Sequence, residues 1–593
     1  MVKPIIMKQM NNSKKYKKSA IISLITSLVI LITLNVIFSF LYVRIDLTKD
    51  KRNSLSETTI EMLKSLNEKV YIKVYLKGGA QPADYELFAK KTEDILQEFR
   101  RYSKNIYFEF IDPVAGKSQE EAKAIFNEFY KKGLRPIPIS KQDAAGFSTH
   151  FVVPGAIITY KIKEAPATLI VSDPNGSDWL NYSIQELEYN LVSTVRQLVN
   201  PRVNKIAFTD GHGELDLWST SWMMYQLQRF YSVERVNLNG KINSLRNIAI
   251  EDSVKQTIKD KGNKYDVLVI AQPTQPFSDM DKFIIDQHVM RGGKILWLID
   301  ATNASIDSLQ SAQEFFAMER PLNLNTLFFK YGVRMNTNLV QDLNCLSVPI
   351  PSGYIGDQPQ FKFWAFPYLV NCVNFSSHPI VRKLKNIKLD FTGTVDFVGG
   401  DGDLKKTVLM TTSERTKMVP TPSIVSLGVV KSKPNMEEYA FKYLPLAVLV
   451  EGEFTSAYDG ILPIEFDTIK QFGFIRKSPE TRQIFISDGD VIRNYFNSKT
   501  NQPYPAGYDI YSRTLYDNTD FLLNCVNYLC ADDDLLQIRS KSFKIGTLNP
   551  QKVREKSKFY AIINITIPLG IIALMGIIMI IIRKRTYARK RIK

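Results

Sequence analysis

Two charge-free apolar runs, one toward each end, constrain this chain more than any other feature. The first, SAIISLITSLVILITLNVIFSFLYV, is Ser19 to Val43, 25 residues without a charge. At about 1.5 Å per helical residue it is long enough for a hydrocarbon core of roughly 30 Å. It is too long for a cleaved signal peptide and lacks a small-residue cleavage motif, so it reads as an uncleaved anchor. It follows MVKPIIMKQMNNSKKYKK, with six lysines and no acid. The second run, Phe559 to Ile582, has 24 residues and precedes RKRTYARKRIK, with seven basic residues in eleven. Its Pro568, Gly570 and Gly576 are tolerated in membrane helices. Because Lys and Arg stay on the cytoplasmic side, the expectation is a two-pass inner-membrane protein. Tails 1–18 and 583–593 face the cytoplasm, helices 19–43 and 559–582 cross, and residues 44–558 form one large periplasmic region.

This topology changes the meaning of the net charge of +17. Thirteen of those charges sit in the two tails, which leaves about +4 on the 515 residues between the spans. The excess is a topology signal, and no basic stripe interleaved with aromatics marks a nucleic-acid surface. The four cysteines include no CxxC and no zinc spacing. Cys525 and Cys530 lie on different faces of one helix, while a bond between Cys345 and Cys372 is left open by spacing.

The outer region is too long for one core. Residues 44–200 read as β-α-β-α-β-β-α: strand VYIKVYL, helix 84–104, strand IYFEFID, helix 119–133, a hairpin from FVVPGAIITYKI and PATLIVSD, and helix 183–199, with Glu186 and Glu188 on its surface. QDAAGFSTHF, carrying His150, reads as loop. That element order is thioredoxin-like, and without redox cysteines such a domain binds or scaffolds. From 201 to 530 the pattern is a doubly wound α/β domain: strand KIAFTD, helix 218–230, strand VERVNL, the apolar strand in YDVLVIAQP, helix and strand across DMDKFIIDQHVMRGGKILWLID, then RQIFISDGD and helix 517–530. Residues 301–480, with short alternating runs, read as a β-rich insertion, and 531–558 as a membrane-proximal connector.

FTDGHGELDLW holds His212, flanked by Asp210, Glu214 and Asp216, directly after an apolar strand. Ligands of open α/β sheets bind at the carboxyl ends of strands, so Asp210, His212 and Glu214 are candidate ligand or partner contacts. Asp300, Asp488 and Asp490 end two other strands and join them. Catalysis would make His212 a base oriented by Glu214 or Asp216. Against it, Asp-Gly-x-Gly is turn chemistry and no GxSxG nucleophile is present. His288 has no partner at i+4 for zinc, and no catalytic residue, metal or cofactor is expected.

RIDLTKDKRNSLSE after the first run, DGHGE, YDVLVIAQP, RGGKILWLID, SDGD and a helix containing FLLNCVNYL before the second run occur in an order that resembles one family. It is the gliding-motility-associated ABC transporter accessory (substrate-binding-like) proteins of the Bacteroidetes, the GldG family. The doubly wound part also resembles a noncatalytic amidotransferase-like domain. The resemblance implies a noncatalytic accessory subunit partnered by an ABC permease and a cytoplasmic ATPase, with outer domains that bind a partner or an unidentified substrate. The chain has no GxxxxGK[ST] of its own. The alternative is a cell-envelope hydrolase built on the Asp210-His212-Glu214 region.

Overall fold

The computed structural model describes residues 54–77, 83–170 (except 133, 135, 144 and 145), 179–199, 204–252, 257–460 (except 313, 356–357, 383, 401–403 and 432), 473–496 and 503–530, with 22, 25–26, 28–33, 564, 566–582 and 584. Both basic tails except residue 584, most of the first apolar run and the 531–558 connector lie outside the described residues. The stretch 566–582 is helical with exposed apolar side chains. Among the described residues no helix is long and apolar enough to cross a membrane.

The N-terminal unit is built on a four-stranded sheet in the order Ile106–Phe110, Val70–Val74, Gly155–Tyr160, Lys163–Thr168. The first pair is parallel and the other two are antiparallel. Val70, Ile72 and Val74 are buried and their neighbours exposed, the period of two expected of a strand with one apolar face. That face packs on helices Ala83–Tyr102 and Trp179–Val199 through Phe88, Leu96, Phe99, Leu187, Leu191 and Val195. A further hairpin, Ile137–Asp143 with Gly146–Val152, is formed by the segment expected to be loop. Glu186 is buried, and Glu188 is not a free surface charge. Its Oε1 accepts from the Ser56 amide and hydroxyl and from the Thr59 hydroxyl, each at 2.7 Å, while Ser56 caps helix Glu57–Lys64.

Eight strands form the central sheet: β1 (Lys205–Asp210), β2 (Ser232–Asn237), β3 (Val267–Ala271), β4 (Lys294–Leu298), β5 (Asn374–Phe375), β6 (Lys405–Thr411), β7 (Pro445–Thr455) and β8 (Lys477–Ile486). Their order is β5-β6-β7-β8-β4-β3-β1-β2. The five strands from β8 to β2 are parallel, and β5, β6 and β7 extend them antiparallel. The inserted region is therefore not a separate layer, because three of its strands prolong the parallel sheet and cover its edge. The rest of it forms small antiparallel pairs, with a longer hairpin of Cys345–Ile355 and Gln358–Cys372.

The parallel strands are apolar throughout because both their faces are covered. Ile206, Phe208, Val267, Val269, Leu296 and Ile484 face helices α1 (Leu217–Gln228) and α3 (Asn518–Leu529). Ala207, Leu268, Ile270, Ile295, Trp297 and Phe485 face helix α2 (Asp279–Met290) and Phe328. On that second face the fully buried Asp286 locks α2 to the turn after β7. It accepts from Ser456 Oγ at 2.6 Å, Ala457 N at 2.9 Å and the Tyr331 hydroxyl at 3.1 Å.

Trp297 is fully buried, stacks on Phe485 with an interplanar angle of 8°, and donates its indole N–H to Gln483 Oε1 at 2.9 Å. Trp297→Ala leaves a cavity and an unpaired amide, and is expected to lower stability by about 3–5 kcal/mol. Thermal unfolding of the full-length protein checks this. A loss comparable to that of an exposed substitution would contradict the packing described.

Candidate functional site

The loop after β1 can form only because of its glycines. Gly211 and Gly213 have φ of 112° and 69°, where side chains are strained. A Cβ on Gly213 would stand 2.1 Å from Thr274 Oγ1. The turn brings the loop against the one after β3. The amides of Thr274 and Gln275 donate to the His212 carbonyl at 2.9 and 2.8 Å, and Leu215 N donates to Ala271 O at 3.0 Å. Strand β1 leads through α1 to β2 on one side, whereas its neighbour β3 leads through α2 to β4 on the other. This is the topological switch point, where open α/β sheets leave their ligand crevice. Here the two flanking loops are bonded to each other across it.

His212 is 5% exposed. Its ring stacks on Phe277 with centroids 3.8 Å apart. Nδ1 lies 3.4 Å from Glu214 Oε1 and Nε2 lies 3.2 Å from Asp281 Oδ2. Burial is the largest influence and lowers its pKa, but Glu214 and Asp281 together outweigh it and the value is raised. For Glu214, burial pushes up, yet the bonds from the His212 ring and amide hold the carboxyl below its ordinary range. Both ring nitrogens are taken, so His212 has none left to accept a substrate proton. Asp281 also takes the Gly240 amide at 2.8 Å and the Ser278 hydroxyl at 2.8 Å. His212 thus ties the loop after β1 to the start of α2 and to the turn after β2.

Asp210 forms a two-pronged ion pair with Arg235 of β2, whose Nε lies 2.9 Å from Asp210 Oδ2. Arg235 also donates to Leu215 O at 2.7 Å and Thr220 Oγ1 at 3.0 Å. Asp216 caps α1 by accepting from Ser219 N at 2.8 Å, and that bond holds its carboxyl below the usual range.

The other three candidates gather farther along the same edge, beyond β4 and β8. Asp300 accepts from Gly489 N at 2.6 Å and Gln272 Nε2 at 2.7 Å, and Arg320 Nη1 stands 3.9 Å away. Asp488 is fully buried and accepts from Asp390 N at 2.6 Å. Asp390, in strand Ile387–Asp390, accepts from Lys388 Nζ at 2.7 Å. Asp490 faces Arg493 at 3.4 Å. Burial raises the pKa of Asp300 and Asp488, and neighbouring carboxylates add to it. Burial, then Asp300 and Asp390, push Asp490 up to about 7.

The six candidates therefore form two groups, Asp210, His212 and Glu214 in one and Asp300, Asp488 and Asp490 in the other. Among the described residues no hydrogen bond joins the groups directly, and Gln272, whose side chain donates to Asp300, begins the loop after β3 that bonds to His212. Asp281, Lys388 and Asp390 belong to these groups and were not singled out from the sequence. Spacing carries no signal for them, since Asp281 lies 69 residues from His212 and Asp390 lies 98 from Asp488.

His288 is buried with neither ring nitrogen hydrogen-bonded among the described residues. Burial, then Lys294 and Arg291, lower its pKa to about 3, so it stays neutral. All four cysteines are free thiols, and burial pushes Cys345 up to about 11 and Cys372 to about 12. Among the described residues no three His, Cys, Asp or Glu side chains converge to hold a metal.

The raised pKa of His212 fixes the sign of a pH effect. A charged His212 stabilises the loop fully below its ordinary value of 6.5, and that contribution is lost as pH rises through the folded value. Hydrogen exchange at the Thr274 and Gln275 amides, corrected for intrinsic rate, should show protection falling over that range. His212→Leu should remove the pH dependence. Protection that does not vary with pH in the wild type would contradict the ion-paired arrangement.

Residues 204–525 match the family described as ABC-type uncharacterized transport system. Residues 49–159 match a domain of unknown function, DUF7088. An uncharacterized protein of Borreliella burgdorferi is 22% identical over 451 residues, covering 75% of this chain and 80% of its own. A solved structure, mmIFT52 N-terminal domain, covers 55% of this chain and 97% of its own at 12% identity, with a TM-score of 0.29. The family match takes in the whole central sheet and both carboxylate groups, more than half of the chain, and the protein belongs to that family of auxiliary components of ABC-type transport systems.

Proposed function

We propose that this protein is a noncatalytic, membrane-anchored accessory subunit of an ABC-type transporter. The observation that carries the reading is the family match over residues 204–525. The apolar runs at 19–43 and 559–582, each bordered by a basic tail, support anchoring in the inner membrane with 44–558 in the periplasm. The transporter partners are an ABC permease and a cytoplasmic ATPase, since the chain carries no ATP-binding motif of its own. The order of motifs along the chain supports a role tied to gliding motility.

In the N-terminal unit the strand order and pairing senses support a thioredoxin-like scaffold that binds partners. A hydrolase built on Asp210, His212 and Glu214 finds no support in the geometry. His212 is buried between two carboxylates, Asp210 is paired with Arg235, and the crevice between the loops is bridged by backbone bonds.

The test is isolation of the full-length protein from its native membrane in mild detergent, with mass spectrometry of what accompanies it. A permease and an ATPase in constant ratio are expected. Their absence, with both genes expressed, would overturn the assignment. His212→Ala should leave the recovered ratio unchanged, because the residue serves the fold and not a reaction.

A further inference from the structure

The hairpin of Cys345–Ile355 and Gln358–Cys372 is apolar on both faces. An antiparallel ladder with one face on a core is expected to be apolar inward and polar outward. Its inner face obeys: Val348 is buried in a small core and Ile350 packs against it. Side chains alternate along a strand, and directly opposed residues share a face. The pairs Pro349 with Phe363, Pro351 with Phe361 and Ser347 with Ala365 therefore make the outer face. None of these six residues carries a charge. Phe361 is 55% exposed and Phe363 is 51% exposed, so the described residues leave this face open.

The edge of the arm is not what it offers. Pro349 and Pro351 have no N–H, so strand Cys345–Ile355 gives an added strand no donor at either position. Lys362 is exposed and lies on the opposite face from the two phenyl rings. Its Nζ stands 4.5 Å from the centroid of the Trp364 ring. Apolar rings with a lysine and a tryptophan beside them are the side chains of segments that lie in a membrane interface.

We infer, resting on the membrane anchoring proposed above, that this arm lies on the same bilayer, with Phe361 and Phe363 at the boundary of headgroups and acyl chains. Only residues 44–53 separate the first apolar run from the described N-terminal unit. Ten residues reach at most about 35 Å even when fully extended. The body is thus tethered beside the bilayer, and an apolar face on it meets lipid at a high effective concentration. Entry of the two rings desolvates no charge, because the outer face has none. A foreign protein would be selected by complementary charge, which this face does not present, whereas lipid asks only for apolar area.

The test uses the full-length protein reconstituted into bilayers of phosphatidylethanolamine and phosphatidylglycerol, with and without brominated acyl chains that quench tryptophan on contact. Phe361→Trp adds a reporter whose emission is read as the difference from the wild type. Phe363→Trp is a second reporter and serves if the first variant does not fold. Ile162→Trp, at a 96% exposed turn position of the N-terminal unit, is the control. The emission added on the arm should be blue-shifted and lost with brominated lipid, and that added at 162 should be neither. Unshifted and unquenched emission from the arm would place it in water and overturn the inference. A blue shift without quenching would mean that protein, a second copy included, covers the face, and would overturn it equally. So would equal quenching at 162, which would mean that the body rests on lipid without using the arm. Alkaline carbonate extraction of native membranes separates this inference from the anchoring it rests on. A chain that is stripped off refutes both, and a chain that resists extraction while its arm reporters stay unquenched refutes the arm alone.

Discussion

Buried carboxylates at the carboxyl edge of the central sheet take the backbone N–H groups that its loops leave unpaired. Glu214 takes the amide of His212, Asp281 that of Gly240, Asp300 that of Gly489 and Asp488 that of Asp390. Bonds of this type are shorter and stronger than neutral ones. Their net worth is small, because the carboxylate must first leave water. Their effect on placement is large, since removing one strands a buried donor at a cost of about 1–3 kcal/mol. Loops that would otherwise sample many conformations above a rigid sheet are thereby held in one.

That arrangement decides what the edge can do chemically. An open α/β enzyme keeps the switch-point crevice free and aims a reactive group into it. Here His212 points into the protein, against Phe277, with a carboxylate at each ring nitrogen. Its carbonyl, not its imidazole, meets the neighbouring loop. The residue types of a catalytic pair are present, and their geometry is that of a staple. A sheet closed in this way suits a subunit whose surfaces are used for assembly, in keeping with an auxiliary component of a transport system.

The legible parts of the sequence were those whose cause is local or periodic. Val267–Ala271 and Lys294–Leu298 read as buried strands because a parallel strand covered on both faces is apolar at every position. The turn at Asp210 to Glu214 announced itself through two glycines that only a positive φ requires. What stayed hidden depends on distant pairing. The strands 405–411 and 445–455 read as short strands of an insertion, and nothing local states that they join the parallel sheet. Glu188 reads as a surface residue on its helix until Ser56, 132 positions away, arrives beside it. Lys388 and Asp390 sit in an ordinary alternating strand, and only the fold sets them against Asp488.

The two carboxylate groups share one sheet edge but differ in how their bonds are completed. Around His212, Arg235 answers Asp210, and the one imidazole ring lies between Glu214 and Asp281. Around Asp488, Lys388 pairs with Asp390 and Arg493 with Asp490, while Asp488 Oδ1 and Asp390 Oδ1 have no hydrogen-bond partner among the described residues. Since burial costs the same kind of energy in both places, the difference does not come from depth. The first group completes its bonds within the chain and so holds the loops together. The second pins the turn after β8, since Asp300 takes the Gly489 amide and Asp488 takes the amide of Asp390 in the neighbouring strand.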